Sequence, residues 1–132
     1  MTRLQYFPAA ARTFTTLRAA GPGRQAVDDM IGSAEGLPFS GGIAELTNIL
    51  IGDYEMTVDD FLVVIEGHAR IRCDGESVTV GPGDAVFLPR GSIVDFEVPD
   101  RLVWSYACSP ADSRSGLKQP GRLCHLARAS RD

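Results

Sequence analysis

The chain has 132 residues, 44% of them apolar and 23% charged, with 14 Gly and 8 Pro but only 2 His. That is the length of one domain, with enough apolar residues for a core and enough Gly and Pro for many turns, which excludes a disordered chain. Net charge is −4, divided into −7 over residues 1–110 and +3 over residues 111–132, and an acidic body of this kind repels phosphate backbones and excludes nucleic acid as a partner.

Short β-type segments recur, each closed by Gly, Pro or Asp. Residues 4–7 read as an apolar terminal strand ending at Pro8, and residues 9–12 as a helical turn. Residues 13–17 run into Gly21-Pro22-Gly23, and residues 25–30 read as a second helical turn. A strand over 42–50 stops at Gly52-Asp53, one over 61–65 at Gly67, and one over 69–73 at Asp74-Gly75, a tight-turn pair that tolerates positive φ. Within that last strand the alternation turns Ala69, Ile71 and Cys73 to the core and His68, Arg70 and Arg72 to solvent. Residues 78–80, 85–88, 93–98 and 102–108 complete the series, and residues 123–127 can dock as a short strand or turn. Strands of about four to seven residues at this spacing predict an all-β, antiparallel sandwich or barrel. The domain is expected over residues 1–110, followed by a basic C-terminal tail over 111–132.

No apolar run reaches the roughly 18 residues of a membrane span, and no hydrophobic export segment opens the chain, so a cytoplasmic protein with no membrane partner is expected. Cys73, Cys108 and Cys124 are odd in number and irregularly spaced, which predicts free, buried thiols in a reducing compartment.

Two glycine-anchored blocks follow one another. The first runs from Gly52-Asp53-Tyr54-Glu55-Met56 through Asp59-Asp60 to Glu66-Gly67, and the second from Gly83-Asp84 through Pro89-Arg90-Gly91-Ser92-Ile93-Val94. Their order and spacing resemble the two cupin motifs, in which a His-x-His, a carboxylate and a closing Gly precede a hairpin, a Gly-Asp, a Pro-x-Gly and a final His. The resemblance covers residues 40–108 and implies a cupin, that is, a double-stranded β-helix or jelly-roll barrel. Here Tyr54, Met56 and Val94 stand at the three histidine positions and Asp60 at the carboxylate position, while His68 and His125 fall elsewhere. A thioether and one carboxylate do not make a Zn²⁺ or Fe²⁺ site, so no metal and no cofactor are expected. A hard-cation site on Asp53, Glu55, Asp59 and Asp60 is the alternative considered, with a solvated acidic turn preferred for the first three.

The aromatic, the Met, the acidic pair before an apolar strand, and an aliphatic residue after Pro-Arg-Gly-Ser are similar to the cupin domain of the ethanolamine utilization EutQ family. The departure is Asp60, where that family usually carries Glu. If the first motif lines the barrel as in cupins, Tyr54, Met56 and Asp60 face inward together, and Trp104 and Tyr106, two apart, share one face. The expected function is a metal-free EutQ-like cupin that binds a small organic molecule and is linked to ethanolamine or amine utilization. Asp60 and Tyr54 are the candidate catalytic residues, and Met56, Val94, Trp104 and Tyr106 the candidate ligand contacts. Asp60, desolvated among apolar groups, is a candidate general acid or base, with a structural hydrogen-bond hub as the other reading. An enzymatic alternative is a metal-independent isomerase, cyclase or lyase using Asp60 and Tyr54. The resemblance also extends an acetate kinase activity, although the sequence has no Walker-type phosphate loop. A third alternative is a structural partner that extends its sheet through residues 4–7, and the cupin resemblance implies a homodimer.

Overall fold

The computed structural model describes residues 3–111 and 118–126. Nine strands form one antiparallel sheet: β1 (Thr15–Ala20), β2 (Gly23–Ile31), β3 (Ser40–Glu55), β4 (Asp59–Gly67), β5 (Ala69–Cys73), β6 (Glu76–Val80), β7 (Ala85–Leu88), β8 (Ile93–Ser109) and β9 (Arg122–His125). The main path runs β1-β2-β3-β8-β4-β7, with β5 also on β8, β6 on β5, and β9 on β3. Two long strands are the spine. The N-terminal half of β8 pairs with β5 and its C-terminal half with β4, while β3 lies along its other edge throughout, so one strand serves both walls of the barrel.

Two irregularities in the β3–β8 ladder, the first with its extra residue on β8 and the second with it on β3, explain why the sequence of β3 alternates only in part. Ala44 and Leu46 point inward, then Asn48 at φ 46° breaks the register and Ile49 and Ile51 become the buried pair. Asp53 at φ 52° breaks it again, and the inward parity passes to Tyr54 and Met56. A one-residue slip between paired strands moves the later side chains to the other face, which is how a strand turns a barrel corner. Pro99 and Asp100 form the first bulge, two residues of β8 facing Asn48 between the pairs Thr47–Arg101 and Ile49–Val98. Proline is tolerated there because no ladder bond is asked of it, so the two strands expected over 93–98 and 102–108 are one.

The Asp74-Gly75 hairpin is as expected, with φ 52° and 79°, and Ala69 and Ile71 are buried while Arg70, Arg72 and His68 are exposed. Three expectations are corrected. Residues 4–7 form no strand; Leu4 and Tyr6 are exposed, and the segment has no ladder partner, without which an extended stretch is not a strand. Residues 25–30 are not a helical turn but lie in β2, where pairing to both β1 and β3 overrides a weak local propensity. The cysteines are free, but only Cys108 is buried; Cys73 is half-buried and Cys124 exposed.

The core lies between the two walls. Leu46, Ile49, Ile51, Val94, Val98 and Leu102 are essentially inaccessible, and Phe96 meets Trp104 edge to face, with ring centroids 5.9 Å apart at 77°.

Candidate functional site

A cavity of about 100 Å³ opens beside this core. A single water needs only about 10 to 15 Å³, so the cavity has room for a small organic molecule. Tyr54, Met56, Asp60, Trp104 and Tyr106 all line it. Val94 does not: it is fully buried and is the cross-strand partner of Tyr54, so it backs the wall without reaching the cavity.

The inward turn of Asp60 follows from strand parity. Val58, Asp60, Leu62 and Val64 share one face of β4 and its approach, and the three apolar members are buried. Asp60 lies between Leu88 on β7 and Cys108 on β8, both buried neighbours in register. Its Oδ1 is buried and has no hydrogen-bond partner among the described residues. Burial disfavours the carboxylate and pushes its pKa up to about 7. Oδ1 thus keeps its hydrogen-bonding capacity free at the wall of a largely apolar space.

Three polar contributors come from residues the sequence reading did not single out: Arg18, Gln25 and Thr57. Arg18 and Gln25 are cross-strand partners on β1 and β2, and an Arg18 Nη1 hydrogen donates to Gln25 Oε1. The guanidinium carbon lies over the Tyr54 ring, 4.9 Å from its centroid, and Nη2 donates to the Lys118 carbonyl at 3.1 Å. The Tyr106 hydroxyl donates to Asp29 Oδ1, farther along β2. The rim is thus cationic and aromatic, the walls apolar, and Asp60 the one acidic side chain among them.

The donor set does not fit a transition metal. Where the cupin resemblance calls for imidazoles, a phenol, a thioether and an aliphatic side chain stand, and Asp60 is the only carboxylate. Among the described residues, no three His, Cys, Asp or Glu side chains gather into a cluster able to hold a metal ion. The acidic residues around the first motif are engaged separately. Asp53 pairs with Arg122, Glu55 pairs with Lys118, and Asp59 accepts the Arg90 N–H.

A two-walled antiparallel barrel with its cavity at the first-motif strand is the architecture of the cupins. The Schizosaccharomyces pombe Cnp3 cupin domain has the same fold at a TM-score of 0.64 and 10% identity, covering 89% of this chain and 84% of that one. The family can be named more narrowly. Residues 7–115 match the family described as ethanolamine utilisation protein EutQ, and the chain belongs to it. The Clostridium difficile EutQ structure is similar at a TM-score of 0.62 and 28% identity, covering 68% of this chain and 71% of that one. A Salmonella typhimurium protein named acetate kinase EutQ is 26% identical over 102 residues, which is 77% of this chain and 44% of that protein. The chain therefore spans less than half the length of that relative. No helix among the described residues is long and apolar enough to cross a membrane.

Proposed function

We propose that this chain is a small-molecule-binding cupin that works without a metal, linked to ethanolamine or related amine utilization, with the Asp60 cavity as its binding site. The observation that carries this reading is the buried, unpartnered Oδ1 of Asp60. Leaving such an atom unsatisfied costs about 1–3 kcal/mol, and a ligand that donates a hydrogen bond to it recovers that cost on binding. The apolar walls take the body of the ligand, and Arg18 and Gln25 at the rim take a polar or anionic end.

A second reading is favoured by the same carboxyl. With its pKa near 7, Asp60 is poised to give or take a proton at neutral pH, which suits a metal-independent isomerase, cyclase or lyase with Tyr54 beside it. The acetate kinase activity in the name of the longer relatives is a further candidate, resting on that name alone. A homodimer in the cytoplasm belongs to the same proposal.

The test is a thermal-shift and Trp104 fluorescence screen of small primary amines, small carboxylates, and acetate with ATP. A saturable response in the wild type that is lost in Asp60→Asn supports the reading. A response that survives Asp60→Asn unchanged, or none across the panel, overturns it.

A further inference from the structure

The C-terminal segment 118–126 is fastened to the barrel in an unusual way. β9 pairs with Ile49–Gly52 of β3, and Leu126 donates its N–H to Asn48 Oδ1 at 2.9 Å. Arg122 spans two carboxylates, Asp53 at 3.0 Å and Asp95 at 2.9 Å, and Lys118 Nζ lies 2.7 Å from Glu55. The barrel has a seat cleared for it. A Cβ on Gly52 would come within 2.8 Å of Arg122 Nε, and one on Gly21 within 2.7 Å of the His125 ring. Only Leu123 of this segment packs against the hydrophobic core. Little apolar burial and half-exposed ion pairs make a unit that opens well before the rest of the barrel.

The strap meets the cavity lining at Arg18 of β1. Its guanidinium is held by two neutral oxygens, Gln25 Oε1 and the Lys118 carbonyl, and by the Tyr54 ring. Arg24, Arg101 and Arg122, in contrast, are each paired with a carboxylate. The strap therefore supplies one of the two oxygens that fix a cation on the rim of the cavity.

We propose that residues 118–126 are a detachable strap that lies outside the cavity and acts on it through Arg18, whose place over Tyr54 its docking fixes, so that strap docking and access to the cavity are one equilibrium. The inference rests on the reading of this cavity as the binding site and assigns its regulation. With the strap down, Arg18 is pinned at the rim. With the strap lifted, the guanidinium loses the Lys118 carbonyl and swings off the ring, uncovering the path to Trp104. Salt weakens the clamps and favours the open form, because the charges involved face solvent.

Trp104 is the only tryptophan and lines the cavity, so it reports access without any ligand. The experiment combines hydrogen exchange of β9 with acrylamide quenching of Trp104 in the wild type at low and high NaCl, in Arg122→Gln, and in Gly52→Ala. The last variant pushes only the flexible end of Arg122 and guards against a misfolded Arg122→Gln. Faster exchange in β9, unchanged protection in β4 and β8, and a severalfold rise in Trp104 quenching support the proposal. Release of β9 with unchanged quenching makes the segment a plain edge strand and overturns it. So does a β9 that exchanges only together with the whole barrel under all these conditions. Because quenching needs no ligand, a cavity that binds nothing in the screen fails the binding reading separately from this one.

Discussion

Arg18 stacks over Tyr54, its guanidinium carbon 4.9 Å from the ring centroid, and this pair joins the hairpin of β1 and β2 to the inward end of β3 at the cavity rim. A cation over an aromatic face contributes about 0.5–1 kcal/mol when exposed and about 2 when desolvated. In a double-mutant cycle of Arg18→Met and Tyr54→Leu, read by urea unfolding, the pair is expected to couple by about 1 kcal/mol. Strict additivity of the two single changes would show that the contact carries no energy.

Asp60 sets the pH dependence of stability. Its pKa in the folded chain is about 7 against an unperturbed 3.8, so between these values the folded state holds a proton that the unfolded state has released. Stability from this group is complete below about pH 4 and is lost as the pH rises through 7, with a limit of about 4 kcal/mol. Asp60→Asn removes the titration. Its melting temperature should match the wild type near pH 4 and exceed it increasingly toward pH 8. A constant difference across that range would mean that Asp60 is not desolvated as the cavity implies.

The glycine framework was legible in the sequence, and two of its members separate two kinds of requirement. Gly75 has φ 79° with open space around it, so Gly75→Ala meets only the left-handed backbone penalty, about 1–2 kcal/mol. Gly67 has φ 80° and a Cβ there would lie 1.9 Å from the Arg101 carbonyl oxygen, a backbone atom that cannot swing aside. Gly67→Ala should therefore lower the unfolding free energy by clearly more than Gly75→Ala. Equal losses in chemical denaturation would remove the close approach of β4 to β8 as the reason for that glycine.

What the sequence could and could not disclose follows from the same geometry. Tyr54, Met56 and Asp60 were placeable because motif spacing puts them on one inward face, and the bulge at Asp53 supplies the change of parity that alternation alone does not reveal. Trp104 and Tyr106 followed from a spacing of two on an uninterrupted strand. Val94 failed because its position in the motif gives the strand but not the depth, and the side chain ends in the core. Arg18 was missed because it lies one residue beyond the segment read over 13–17, and Gln25 because residues 25–30 lack alternation. The hairpin at Gly21-Pro22 held the signal: pairing outward from Ala20 and Gly23 sets Arg18 opposite Gln25. Strap contacts such as Arg18 to Lys118 span 100 residues and leave no local trace.

The donor set at the cavity predicts metal independence. Tyr54 and Met56 occupy two of the expected imidazole positions, and Val94 at the third lies off the cavity, which leaves Asp60 as the only carboxylate on its wall and no imidazole or thiolate beside it but the buried Cys108. A single carboxyl does not hold Zn²⁺, Fe²⁺ or Mn²⁺ against chelation, since such sites need three or four protein ligands. Protein purified without chelator should carry well under one equivalent of transition metal by elemental analysis, and incubation with EDTA should leave its melting temperature unchanged. A double substitution, Tyr54→His with Met56→His, should raise Zn²⁺ or Ni²⁺ affinity measurably, because it sets two imidazoles on the same inward face as Asp60. A stoichiometric metal in the unaltered chain, removed by EDTA with a fall in melting temperature, would replace this account with a ligand set drawn from elsewhere in the protein.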